Sequence, residues 1–285
     1  MVGMGRVKRS WVLAKTTWDV LRSEKQLVGY PVLSFLASMV VLVVLGVLGW
    51  FTSGSETGTN GNEIYTASVA TYLVGIATYL GLAFVQIYFL AALCASANER
   101  LQGRETSLGQ GISIANSRLA RILGWAVVTA TVSVILRAIE ERLDFLGQII
   151  VGALGVAWRV VTFLTVPIIV FEDVGPVTAL KRSGTLFKKT WGENLIAHMS
   201  LALVGILATL PAILVIVLGV VSLTAVVAVP VIAIGVLWII GVSTVMSALS
   251  GIYRTALYRY AVDGQIQGAF SSLDLEHAFG QRKSR

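Results

Sequence analysis

Apolar residues in this chain gather into long blocks separated by short polar segments. A helix needs about 20 mostly apolar residues to cross the hydrocarbon core of a bilayer. Blocks of that length cover Pro31 to Phe51, about Ile64 to Ala97, about Leu119 to Ile139 and about Leu146 to Phe171. Between His198 and Arg254 no charged residue occurs over 55 positions, which leaves room for two spans and a tight turn, read as 195–220 and 229–253. The pattern predicts an all-α membrane protein with six transmembrane helices. The second block exceeds what a span requires, so it is expected to tilt or to project into the cytoplasm.

Composition agrees with the pattern. Of 285 residues, 56% are hydrophobic and 13% charged, and the mean hydropathy is +0.81. A soluble globular domain carries roughly a quarter of its residues charged, so a cytoplasmic globule and a disordered tail are both excluded. The net charge of +7 lies beside apolar blocks, which favours anionic lipid head groups over nucleic acid as the partner. With both termini cytoplasmic, segments 1–30, 98–118, 172–194 and 254–285, together with Arg121, hold 19 of the 22 lysines and arginines. Cytoplasmic loops are enriched in these residues, so the expected topology is N-in, C-in, in the plasma membrane of a prokaryote. The first apolar run begins near Pro31 with no cleavage-site pattern before it, and reads as a retained anchor. Cys94, the single cysteine, lies in an apolar stretch and reads as a packed thiol.

The chain also copies itself. Residues 8–18, KRSWVLAKTTW, and 181–191, KRSGTLFKKTW, share seven of eleven positions. A weaker copy at 117–125 keeps the Ser-to-Trp separation in Ser117 and Trp125. Each copy precedes a pair of apolar blocks. The expected unit is a basic interfacial helix followed by a transmembrane hairpin, repeated in parallel over about 1–100, 104–174 and 175–262, with 263–285 as a cytoplasmic tail. In the copy at 181–191, Leu180, Gly184, Phe187 and Trp191 share one helical face, and Lys181, Arg182, Lys188 and Lys189 occupy the others. Lys8, Arg9 and Lys15 stand correspondingly in the first copy. Basic helices with indoles on the apolar face lie in the head-group region, so these seven cations are the expected contacts to anionic lipid.

The string VPIIVFEDVGPVTALKRSGTL at 166–186 carries Pro167, Glu172, Ala179, Leu180, Lys181, Arg182, Ser183 and Leu186. It resembles a signature of uncharacterised prokaryotic multi-span membrane families, also found in the membrane domain fused to some glycerophosphodiester phosphodiesterases. The resemblance implies a fold and a membrane role; the hydrolytic domain of the fused enzymes is absent, so no phosphodiesterase activity is implied. Within the motif Gly175 and Pro176 read as the turn, with proline suited to a first helical turn. Glu172 and Asp173 precede that helix, where its dipole favours negative charge.

Candidate chemistry is sparse. His198 and His277 lie far apart without cysteine neighbours, and no nucleophile, zinc-protease, P-loop or dinucleotide motif occurs. No enzymatic activity, cofactor or metal is expected. Arg159 is the exception, 13 residues before Glu172 and near the middle of the fourth block. An arginine at a helix centre costs about 2.5–3.5 kcal/mol to insert and usually faces a bundle interior or a wet cavity. Gln86 in the second block, carbonyls near Pro167, or water from the cytoplasmic side are its expected contacts. Ser243, Ser247 and Gly251 form a small-residue stripe, expected to pack spans within one chain. Two functional readings emerge. The first is a non-enzymatic membrane protein that organises lipid, a protein partner or further copies of itself through basic interfacial helices. The second is a transporter or channel for an anionic or amphipathic solute with Arg159 in its pathway.

Overall fold

The computed structural model describes residues 21, 25–57, 63–66, 68–191, 196–222 and 225–263. Lys8, Arg9, Lys15, His277 and the tail beyond Asp263 lie outside the described residues, as do the side chains of Lys189 and His198. After a short 3-10 turn, Lys25–Val28, the helices are α1 (Gly29–Thr52), α2 (Val69–Leu101), α3 (Leu108–Ser117), α4 (Leu119–Glu140), α5 (Phe145–Val161), α6 (Thr165–Glu172), α7 (Pro176–Trp191), α8 (Ile196–Ser222) and α9 (Ala225–Asp263). Among the described residues five stretches are long and apolar enough to cross a membrane: Gln26–Thr52, Val69–Leu101, Leu119–Glu140, Gly147–Glu172 and Val227–Asp263. The apolar part of α8, Gly205–Val220, is shorter than these.

Two differences from the sequence reading concern regular structure. The fold is not wholly α: after α1, Gly54–Thr57 (β1) pairs antiparallel with Glu63–Thr66 (β2), Gly54 opposite Thr66 and Thr57 opposite Glu63. The apolar block from Leu146 to Phe171 is not one helix but α5 and α6, separated by a turn at Thr162–Leu164.

Capping explains where several elements begin and end. Ser68, Ser107 and Asp144 each accept the backbone N–H three residues on, from Thr71, Gln110 and Gly147, so α2, α3 and α5 all start on a side-chain cap. At the end of α2, Gly103 takes φ 76°, and the N–H groups of Gly103 and Arg104 donate to the carbonyls of Arg100 and Glu99. This left-handed closure stops the helix. At about 1.5 Å per residue, the 33 residues of α2 and the 39 of α9 reach beyond the roughly 30 Å hydrocarbon core. The excess length expected of the second block is found in α2, and α9 shares it.

The chain divides into two compact units. One comprises residues 1–31, 96–110 and 184–285, the other residues 32–95 and 111–183. In the first, α8 lies against α9, with the Trp238 indole donating to the Ala208 carbonyl at 3.0 Å. Its buried residues include Leu27, Tyr30, Asn98 and the stretch from Ile252 to Tyr253. The Tyr30 hydroxyl reaches Ser96 Oγ at 2.5 Å and the carbonyls of Ser107 and Leu108, and Arg259 Nε donates to Asn98 Oδ1 at 2.6 Å. Ser243 and Ser247 are exposed and Gly251 is buried, so only the last residue of the small stripe is packed within the chain. In the second unit the ends of α1 and α2 are tied where the Ser68 and Thr71 hydroxyls donate to the Thr52 carbonyl. Its core is formed by Ala91–Ala95, Ile122, Trp125, Ala130 and the run from Phe163 to Val170. Cys94 is fully buried, as a packed thiol should be.

Candidate functional site: the interrupted span and its groove

The second unit holds most of the residues singled out in the sequence. The interruption between α5 and α6 releases backbone groups that a continuous helix would pair. Thr165 N–H donates to Thr162 O rather than to Val161 O, so the Val161 carbonyl is left open. Ser183 closes the gap. Its hydroxyl donates to the Val161 carbonyl at 2.5 Å and accepts from the Leu164 N–H at 3.3 Å, and the residue is fully buried. In a membrane, broken helices persist only where neighbouring side chains re-satisfy the freed groups. The serine of the Ala-Leu-Lys-Arg-Ser core is therefore a structural clamp on the span that precedes it.

This alters the reading of α7. Its buried stripe is Ala179, Ser183 and Leu186, one residue out of step with the face assigned from sequence; Leu180, Gly184 and Phe187 are only half-buried. Lys181, Arg182 and Lys188 are exposed. Arg182 Nε also lies 3.3 Å from Glu172 Oε1. In the weaker copy Ser117 bonds the Ile114 carbonyl of its own helix, and Trp125 is buried in α4, where it stacks on Trp158 with centroids 6.1 Å apart. That stretch crosses from α3 into α4 and does not form a helix of its own.

The turn of the motif is built from charge. Asp173 takes the left-handed conformation at φ 55°, ending α6, and its Oδ1 lies 2.8 Å from Arg118 Nη1 and 2.5 Å from Arg121 Nη1. Gly175 and Pro176 follow, with Pro176 as the first residue of α7 and the Gly175 carbonyl accepting from Ala179 N–H. Glu172 and Asp173 are thus each engaged by arginine. Asp173→Asn keeps a side chain that tolerates left-handed backbone and removes the charge. These groups are part-exposed, and exposed pairs contribute about 0.2–1 kcal/mol each. The expected loss is about 1 kcal/mol in detergent unfolding, and high salt should erase most of the difference from wild type.

Between α4 and α5 runs a groove of about 870 Å³. Arg137, Glu140, Glu141 and Gln148 line it near the helix–helix turn, Thr129 and Ser133 line the α4 wall, and Arg159 and Thr162 lie at the far end. The three hydroxyls donate to their own helices, at Trp125, Thr129 and Trp158 carbonyls, and Arg137 pairs with Glu141 at 3.1 Å. Arg159 is exposed within the groove, not sealed in a bundle, and no hydrogen bond or ion pair of its guanidinium occurs among the described residues. Gln86 is not brought to it: the Gln86 amide faces Ser38 Oγ at 3.4 Å. The polar lining approaches Arg159 from the α4–α5 turn.

Among the described residues no group of three or more His, Cys, Asp or Glu side chains is placed to hold a metal ion. What the arrangement offers is a cation at the end of a polar groove and a basic helix whose serine holds a broken span together. No curated protein and no solved structure matches the chain. The family model DUF6159 matches residues 69–268, more than two thirds of the chain and all of the helices just described from α2 to α9. The chain therefore belongs to the DUF6159 family, a family of unknown function.

Proposed function

We propose that the protein is a non-enzymatic membrane protein of the plasma membrane of a prokaryote that organises anionic lipid, and with it a partner or further copies of itself, through basic helices in the head-group region. In this reading α8 is the sixth span, both termini are cytoplasmic, and the three parallel repeats each place a basic helix on the inner face. The resemblance of residues 166–186 to the membrane domain fused to some glycerophosphodiester phosphodiesterases belongs to the same reading: a module that works at a phospholipid surface without hydrolysing it.

The observation that carries it is α7. Lys181 and Lys188 are exposed on a helix that buries Ala179, Ser183 and Leu186 and whose Ser183 is bonded to the end of the preceding span segment. Cations held at that depth meet lipid phosphate. The test is lipid retention. Wild-type protein and a Lys181→Gln/Lys188→Gln/Lys189→Gln variant are purified from mixed vesicles of phosphatidylglycerol and phosphatidylcholine, and the lipids that stay bound are counted. Enrichment of phosphatidylglycerol on the wild type and its loss on the variant supports the reading; equal lipid ratios overturn it.

One observation favours the second reading, passage of an anionic or amphipathic solute. The groove between α4 and α5 carries polar groups from the helix turn to the middle of a span and ends on Arg159. In the N-in orientation that turn faces outward, so the route leads from the outer surface to mid-membrane.

A further inference from the structure

The groove has features that a merely tolerated arginine does not require. Arg159 sits two residues from the end of α5, with five donors in a planar fork suited to two oxygens of one anion. Its side chain is exposed to the groove with no internal acceptor among the described residues. Two glycines, Gly152 and Gly155, form the same wall, and a Cβ at either would meet nothing within 4 Å. Glycine inside a helix is destabilising relative to alanine, and here no close packing within the chain accounts for it. What the glycines do is hollow the wall between the helix turn and Arg159.

The surroundings select the anion. Beside the groove, α4 exposes Val134 and Ile135 and α5 exposes Ile149, Ile150 and Leu154. In a membrane those side chains lie among acyl chains. A soluble anion reaching Arg159 along the polar groove would leave those apolar faces unused, whereas a bilayer phospholipid already has its chains there and its phosphate on a polar head. We propose that the α4–α5 groove is a phospholipid site in which the phosphodiester lies against the Arg159 guanidinium, the head group follows the hydroxyl-lined wall toward Gln148, and the acyl chains lie on the exposed apolar faces of α4 and α5. The inference rests on the second functional reading and names its ligand; it does not depend on the basic face of α7.

Titration of delipidated full-length protein with phosphatidylglycerol in detergent tests it, with oleate and inorganic phosphate as separate arms. The wild type is expected to hold one tightly bound phosphatidylglycerol and neither oleate nor phosphate at comparable concentration. Arg159→Gln should weaken that binding at least tenfold, and Arg159→Lys should restore part of it. Gly155→Leu adds a side chain to the groove wall at a position where a Cβ meets nothing within 4 Å, and should weaken binding to a similar extent. This second variant carries the test if Arg159→Gln does not fold. Lys181→Gln/Lys188→Gln should leave the tight site intact. Unchanged binding in both Arg159→Gln and Gly155→Leu overturns the proposal, as does preference for oleate or free phosphate. Movement of a fluorescent phospholipid between leaflets, followed in the same proteins after reconstitution, separates site from pathway. Binding without movement keeps the lipid site and removes the transport reading; movement without Arg159-dependent binding removes the site and leaves transport standing.

Discussion

Ser183→Ala is expected to be among the most destabilising single substitutions in the chain, although it removes one oxygen atom. Alanine fits the space, so no clash contributes. What changes is that the Val161 carbonyl and the Leu164 N–H lose the hydroxyl that serves both. The Leu164 N–H is buried and the Val161 carbonyl part-buried, and a buried group left unpaired costs about 1–3 kcal/mol. Hydrogen bonds in membrane proteins often contribute less, about 0.6 kcal/mol on average, because the unfolded state in the membrane finds other partners. Weighing both, a loss of about 1–3 kcal/mol is expected in reversible unfolding in mixed micelles. Thr165 supplies the contrast. It lies at the same interruption and is fully buried, yet its hydroxyl has no hydrogen-bond partner. Thr165→Val keeps the shape and removes an unsatisfied oxygen, so it should be neutral or slightly stabilising. If Ser183→Ala and Thr165→Val have equal effects, Ser183 is not the clamp described.

The second large effect concerns α7. Juxtamembrane cations contribute about 1 kcal/mol each to attraction by an anionic membrane surface. Neutralising Lys181, Lys188 and Lys189 together should therefore reduce the preference for phosphatidylglycerol over phosphatidylcholine by up to about 3 kcal/mol, roughly 100-fold. Arg182 is left in place so that its pair with Glu172 is kept. The preference should also fall as salt rises, since exposed charges are screened over about 10 Å at 0.1 M. A salt-independent preference would point to head-group shape rather than charge.

Helix boundaries were legible where charge and polarity change abruptly. The blocks read at Pro31–Phe51 and Leu119–Ile139 correspond to Gly29–Thr52 and Leu119–Glu140, because polar residues or charges stop the apolar run at both ends. The interruption after Val161 was not legible. Thr162, Phe163 and Leu164 sit as easily in a helix as in a turn, and the group that makes the turn tolerable comes from Ser183, about twenty residues on. The pairing of Glu172 with Arg182 was within reach of sequence, since turn and helix lie close along the chain. The grip of Arg118 and Arg121 on Asp173 was not, because it depends on how α4 meets the end of α6. Arg159 stood out for its depth, but the groove around it depends on which faces of α4 and α5 meet. Thr129, Ser133, Gly152 and Gly155 at helical spacing were the available signal. The β1–β2 pairing hides in a Gly/Ser/Thr/Asn-rich stretch whose composition reads as loop.

Sidedness underlies the whole account, since lipid organisation by α7 requires its cations on the cytoplasmic face and the groove to open outward. Labelling single cysteines in intact cells measures this most directly. In a Cys94→Ala background, Arg142→Cys places a thiol at the exposed α4–α5 turn and Lys188→Cys places one on the exposed face of α7. An impermeant maleimide is expected to label position 142 in intact cells and position 188 only after permeabilisation. Labelling of position 188 from outside, with position 142 protected, would contradict the account.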